Sequence, residues 1–157
     1  MSKVTPCLWF ESQAEEAARF YASLLPDSAV TRVQRLPGDG PDAPALVVEF
    51  TLGGRPFLAL NGGMRFEHSP AVSFSIDCED QAEVDRLWAM LGEGGTYDRC
   101  GWLRDRYGVP WQVVPRALPR LLADPDPGRA GRVMQAMMGM EKLDVAALEA
   151  AAATPNW

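Results

Sequence analysis

The sequence predicts an α+β fold made of two βαβββ modules and a helical tail, and three observations predict it. A short pattern occurs twice, as Leu8-Trp9-Phe10-Glu11-Ser12-Gln13-Ala14-Glu15 and as Phe74-Ser75-Ile76-Asp77-Cys78-Glu79-Asp80-Gln81-Ala82-Glu83. Each copy is an apolar run that leads into residues at helical spacing. Each helix is then followed by three strand-length segments punctuated by Gly and Pro.

The elements follow in order. Ser12 with Glu15 fits a capping box, and Asp80 with Glu83 fits a similar start. Ala14, Ala17, Ala18, Tyr21, Leu24 and Leu25 form one helical stripe; Val84, Leu87, Trp88 and Leu91 form the other. The helices end at Pro26-Asp27 and at Gly92-Glu93-Gly94-Gly95. Strands are expected from Ala29 to Leu36, Ala45 to Leu52 and Pro56 to Asn61, and again from Thr96 to Arg99, Trp102 to Arg106 and Trp111 to Val114. Pro37-Gly38-Asp39-Gly40-Pro41 makes a loop, Gly53-Gly54 a tight hairpin turn, and Tyr107-Gly108-Val109-Pro110 another turn. Such mixed elements suggest antiparallel pairing with helices on one face.

Alternation assigns the faces. Leu46, Val48, Phe50 and Leu52 oppose Val47, Glu49 and Thr51; Leu58 and Leu60 oppose Phe57, Ala59 and Asn61; Val72, Phe74 and Ile76 oppose Ala71, Ser73 and Ser75. The purely apolar set of each strand is expected under the helices. The mixed set faces a cavity or plain solvent. Trp9 and Trp111 are expected in the helix-covered core. Arg104 and Asp105 read as an ion pair or turn acid.

Composition narrows the function classes. The chain has 157 residues, enough to bury a core without staples. Its formal net charge of −6 argues against nucleic acid as a partner. No stretch approaches the roughly 20 apolar residues of a membrane helix, and Met1 to Pro6 lack an apolar signal core, so a cytoplasmic location is expected. Cys7, Cys78 and Cys100, with no Cys-x-x-Cys, read as reduced thiols.

After Pro115 the prolines 119, 125 and 127 break the chain into short helices, with Gly128 to Met138 and Val145 to Ala153 helical and Asp144 a cap. The stripe Val133, Met134, Met137, Met138 reads as packing, on this chain or on a second subunit. The expected organisation is one domain over 1–117, with modules at about 4–62 and 70–115, and a helical extension over 118–157.

Several strings resemble the vicinal-oxygen-chelate superfamily, the glyoxalase, bleomycin-resistance and extradiol-dioxygenase group. They are Glu15-Glu16-Ala17-Ala18-Arg19-Phe20-Tyr21, Ala71 to Ile76, Asp80 to Trp88, and Cys100 to Pro115. Within that group the chain is most similar to PhnB-like proteins, often described as 3-demethylubiquinone 3-methyltransferase-like. The tail from Asp124 to Ala150 also resembles that family's extension. The resemblance implies eight strands in a half-open, U-shaped mixed sheet around a cavity, and a homodimer.

The resemblance also implies where metal ligands would stand: near Pro6, near Ala71 or Ser73, around Ala59 to Asn61, and at Gln112, where the family usually has Glu. Pro and Ala cannot ligate, and amides are weak ligands, so no metal is expected. The one histidine, His68, lies off the strands. An iron site with two histidines, and so extradiol dioxygenase activity, is excluded by composition. Methyl transfer from S-adenosylmethionine needs a Gly-rich turn leading from strand to helix; no glycine pair here has that context. The expected ligand-binding residues are Gln112, Ser73, Ser75, Asn61, Glu49 and Thr51, with Phe10, Phe57 and Trp102 as flat walls. The expected function is cofactor-free binding of a small organic molecule. A metal-assisted isomerase or lyase with an atypical site, and a dimeric interaction module, are the alternatives.

Overall fold

The computed structural model describes residues 3–38 and 40–154. Asp39, in the predicted loop, and the last three residues of the extension lie outside the described residues. The chain forms two compact units, Met1–Glu67 and His68–Trp157.

The first unit runs β1 (Cys7–Phe10), α1 (Ala14–Ala22), β2 (Ala29–Arg35), β3 (Ala45–Leu52) and β4 (Arg55–Asn61). Its sheet has the order β1-β4-β3-β2. The pairs β2–β3 and β3–β4 are antiparallel, but β1 lies parallel to β4, so the sheet is mixed and not antiparallel throughout. Gly53 and Gly54, at φ 55° and 79°, make the β3–β4 hairpin; two successive positive φ angles suit the right-handed twist of the strands they join. Ala14, Ala17, Ala18 and Tyr21 of α1 are buried with Val48, Phe50 and Leu52 of β3. The small alanines let the helix approach the sheet, where Tyr21 stacks on Phe50 and Phe50 on Phe57, with centroids 6.4 and 5.5 Å apart.

The second unit repeats the plan with β5 (Phe74–Cys78), α2 (Gln81–Gly92), β6 (Thr96–Tyr97), β7 (Trp102–Arg104) and β8 (Pro110–Pro115). Its sheet order is β5-β8-β7-β6, again with one parallel pair, β5 with β8. Asp80 caps α2 by accepting the Glu83 N–H at 2.9 Å, as its sequence predicts. Ile76, Cys78, Leu103, Trp111 and Val113 are buried on the helix side with Val84, Leu87 and Leu91. β5 begins at Phe74, so Val72, expected beneath the helix, lies before the strand and is 67% exposed.

The extension forms α3 (Ala117–Leu122), α4 (Pro127–Met138) and α5 (Val145–Ala153) within the second unit. Leu118, Val133, Leu143 and Leu148 are its buried core, and Met137 packs against them. Met134 and Met138, from the same predicted stripe, are exposed. The α4–α5 connection is pinned to the module. The N–H groups of Cys100 and Gly101 donate to the carbonyls of Met140 and Glu141, both at 2.8 Å. Gln81 bonds the Leu143 carbonyl at 3.1 Å and accepts the Val145 N–H at 2.7 Å. These bonds account for the left-handed backbone of Cys100, at φ 60°, which a residue with a side chain adopts only when its surroundings hold it there.

Candidate functional site

Four of the nine expected binding residues are brought together on the second unit's sheet, on the face away from α2. Ser75 of β5 and Trp102 of β7 flank Gln112 of β8 in register, so the three form one row across three strands. Ser73, just before β5, accepts a hydrogen bond from Gln112 Nε2 at 2.9 Å. The residues between them in sequence, Phe74, Leu103 and Trp111, point to the α2 side, and Leu103 and Trp111 are buried there. Gln112 and Trp102 are half-buried and Ser75 is exposed. The row therefore offers an amide, two hydroxyls and a flat indole. Ser73 anchors the amide of Gln112 and leaves its carbonyl oxygen open to accept.

The turn beside this row is held rigidly. Asp105 is 2% exposed. Its Oδ1 accepts the N–H groups of Tyr107 and Val109 at 2.8 and 3.0 Å, and its Oδ2 accepts the Trp111 indole N–H at 2.8 Å. Asp105 is thus a turn acid. The other sequence reading, an ion pair with Arg104, does not form: Arg104 points from the opposite face of β7 and is exposed.

The other five expected residues do not join this row. Glu49 and Thr51 lie in the first unit, on the face of β3 away from α1. Glu49 is paired loosely with Arg32 at 3.9 Å, and Thr51 Oγ1 accepts the Ala29 N–H at 3.2 Å. Phe10 and Phe57, expected as walls, are 4% and 6% exposed and belong to the α1-covered core. The face assignment of β4 is therefore reversed: Phe57 and Ala59 are buried while Leu58 and Leu60 are only half-buried. Trp9 is corrected the same way. Leu8 and Phe10 take the core side, and Trp9, half-buried, donates its indole N–H to the Met64 carbonyl at 2.7 Å and lies 5.0 Å from the Phe66 ring.

Asn61 shares the helix side with Phe57, where its amide has a structural task. Its Oδ1 accepts the Ala14 N–H at 2.8 Å, and its Nδ2 donates to the Ala45 carbonyl at 2.9 Å. Asn61 therefore caps α1 from a neighbouring strand, and the Ser12–Glu15 capping box does not form. The residue at the helix start is Gln13, which makes no side-chain cap bond. Glu15 instead binds Arg19 at 2.9 Å and Arg35 at 3.1 Å. The hydrogen bond from Arg19, and then Arg35, holds its carboxyl below the usual range. Asn61, Glu15 and Arg35 line a cavity of about 530 Å3 together with Asp42, Leu36 and Leu46. Asn61 is spent on the backbone, Glu15 on Arg19 and Arg35, and Arg35 also on the Ala43 carbonyl at 2.9 Å.

Neither cofactor that the resemblance raises fits these side chains. Among the described residues, no group of three or more His, Cys, Asp and Glu is arranged to hold a metal ion. The strand-to-helix turns, Glu11 to Gln13, Glu79 to Asp80 and Arg116, contain no glycine, so none has the close-approach turn of the common nucleotide-type methyl-donor site. His68 sits in the loop that follows Glu67 and is half-buried. No described helix is long and apolar enough to cross a membrane.

Comparison with known proteins agrees with this architecture. The family model described as 3-demethylubiquinone-9 3-methyltransferase matches residues 2–114, which span both modules and stop short of the helical extension. A solved PhnB protein from Bacillus cereus, carrying the same description, is 32% identical over 73% of this chain and 99% of its own, with a TM-score of 0.67. Protein PA1353 from Pseudomonas aeruginosa, 23% identical over 73% of this chain and 98% of its own with a TM-score of 0.60, shares the fold. No curated protein matches the chain. With its duplicated mixed sheets and this match, the chain belongs to the PhnB-like, 3-demethylubiquinone-9 3-methyltransferase family.

Proposed function

We propose that this PhnB-like protein binds a small organic molecule on the α2-distal face of its second sheet, without a metal ion. The observation that carries the reading is the Ser75–Gln112–Trp102 row, with Gln112 held by Ser73 at 2.9 Å. A preorganised amide beside a half-buried indole supplies what small-molecule sites commonly combine, an apolar wall and a few fixed polar groups. A neutral amide by itself does not hold a divalent ion, and its nearest partners, Ser73, Ser75 and Trp102, add no metal-binding group. The family description names a methyl transfer. The glycine-free strand-to-helix turns do not fit that donor, and binding is the reading the side chains favour.

Calorimetric titration of the purified protein with a panel of aromatic and heteroaromatic small molecules tests this. A hit should weaken about tenfold in Gln112→Ala, the loss of about one good hydrogen bond. A stoichiometric metal that co-purifies with the native chain and is lost in Gln112→Ala would overturn the metal-free reading.

A further inference from the structure

The row of Ser75, Gln112 and Trp102 is uncharged, yet a cation stands beside it. Arg104 follows Trp102 by two residues on β7. Residues two apart on a strand project from the same face, about 7 Å apart. Leu103 between them is buried on the α2 side, which puts Trp102 and Arg104 on the other. Arg104 is exposed, and among the described residues no carboxylate or carbonyl engages its guanidinium.

Two carboxylates on this face, Asp77 and Asp98, already have hydrogen-bond donors of their own. Arg116 Nη2 binds Asp77 at 3.1 Å. Asp98, across the β6–β7 hairpin from Trp102, accepts the Arg99 N–H at 2.8 Å. Asp105, next in sequence, is turned to the α2 side by three N–H donors. The carboxylate that sequence proximity suggests for Arg104 is thus taken away from it. In a chain of net charge −6, a guanidinium left open beside a half-buried indole is a selective feature.

We infer that this face takes a planar aromatic carboxylate: the ring lies against Trp102, the carboxylate meets the Arg104 guanidinium, and a hydroxyl or N–H on the ring bonds the Gln112 carbonyl. The inference rests on the proposed binding face and narrows its ligand to one charge class. The geometry suits it. A guanidinium presents paired N–H donors that match a carboxylate, so the contact is directional as well as electrostatic. The strand repeat of about 7 Å between positions two apart leaves room for an aryl ring at Trp102 with its carboxylate directed toward Arg104.

Titration of the full chain with 2-naphthoate and with its uncharged counterpart 2-naphthamide tests the inference. The acid should bind more tightly than the amide, and the difference should shrink as salt rises. Arg104→Gln should weaken the acid about tenfold and leave the amide unchanged, while Trp102→Leu should weaken both. Arg104→Lys, which keeps the charge and loses the fork, should fall between the native chain and Arg104→Gln. The Arg104 side chain has no partner to lose among the described residues, so the two Arg104 variants should keep the native circular dichroism and melting temperature. Equal binding of acid and amide, with Arg104→Gln changing neither, overturns the charge assignment and leaves the binding face standing. Binding of neither probe overturns the inference, and the wider panel on Gln112→Ala then decides whether the face itself binds anything.

Discussion

Replacing Asp105 by alanine should be among the most damaging single changes to this chain. The side chain is 2% exposed and holds three N–H donors, those of Tyr107, Val109 and the Trp111 indole. Val109 is fully buried and Trp111 is 2% exposed, so bulk solvent does not reach either donor in the native fold. Each buried donor left without a partner costs about 1–3 kcal/mol. The Tyr107 N–H is nearer water and adds less. A water molecule entering the vacated space offsets part of the loss. The sum is about 2–5 kcal/mol, a large share of the roughly 5–15 kcal/mol that holds a domain folded. Asp105→Asn should lie between, because its amide nitrogen turns one acceptor into a donor facing a donor. Urea denaturation followed by tryptophan fluorescence measures both. A loss under about 0.5 kcal/mol for Asp105→Ala, or an Asp105→Asn protein as stable as the native one, refutes the reasoning.

Three further outcomes follow from the same structure. Asn61→Leu should cost about 1–3 kcal/mol in urea denaturation, because it uncaps α1 and leaves the Ala45 carbonyl without its donor, and it should not change binding of any hit that Gln112→Ala weakens. Leu143→Ala, at a fully buried position between α4 and α5, should cost about 2–5 kcal/mol by the same measurement, showing that the extension is structural in this unit. Burial pushes the Cys78 thiol up to about 12. A raised folded pKa contributes stability that is complete below the unfolded value near 9 and is lost as pH rises toward 12. Iodoacetamide at pH 8 should therefore label exposed Cys7 and spare Cys78 until the chain is unfolded, as mass spectrometry of labelled peptides will show.

Element order is legible in this sequence because periodicity and breakers are local. β3 falls where alternation places it, from Ala45 to Leu52, and Asp80 caps α2 as its spacing with Glu83 implies. The errors arise where two faces are both apolar. Leu8-Trp9-Phe10 and Phe57-Leu58-Ala59-Leu60 contain no polar residue to mark the outer side, so the pattern alone does not rank the faces. Asn61 looks like a water-facing residue, yet it points to the helix side because a strand 47 positions away supplies the cap for α1. A local motif such as Ser12–Glu15 carries no information about that competitor. The site shows the same division. Gln112, Ser73, Ser75 and Trp102 are identified by alternation and meet through strand register. The open cation of Arg104 is legible only as a position two residues after Trp102. Its freedom from Asp105 becomes visible once the turn is folded.

The most direct test of binding on the second sheet is a nitrogen-15 NMR titration of the full chain with 2-naphthoate. The Gln112 side-chain amide and the Trp102 indole N–H resonances should move together and saturate, and Arg104→Gln should shift the midpoint to higher ligand concentration. Resonances of Asn61 and Arg35, at the first-unit cavity, moving while those of Gln112 and Trp102 stay still would contradict binding on the second sheet.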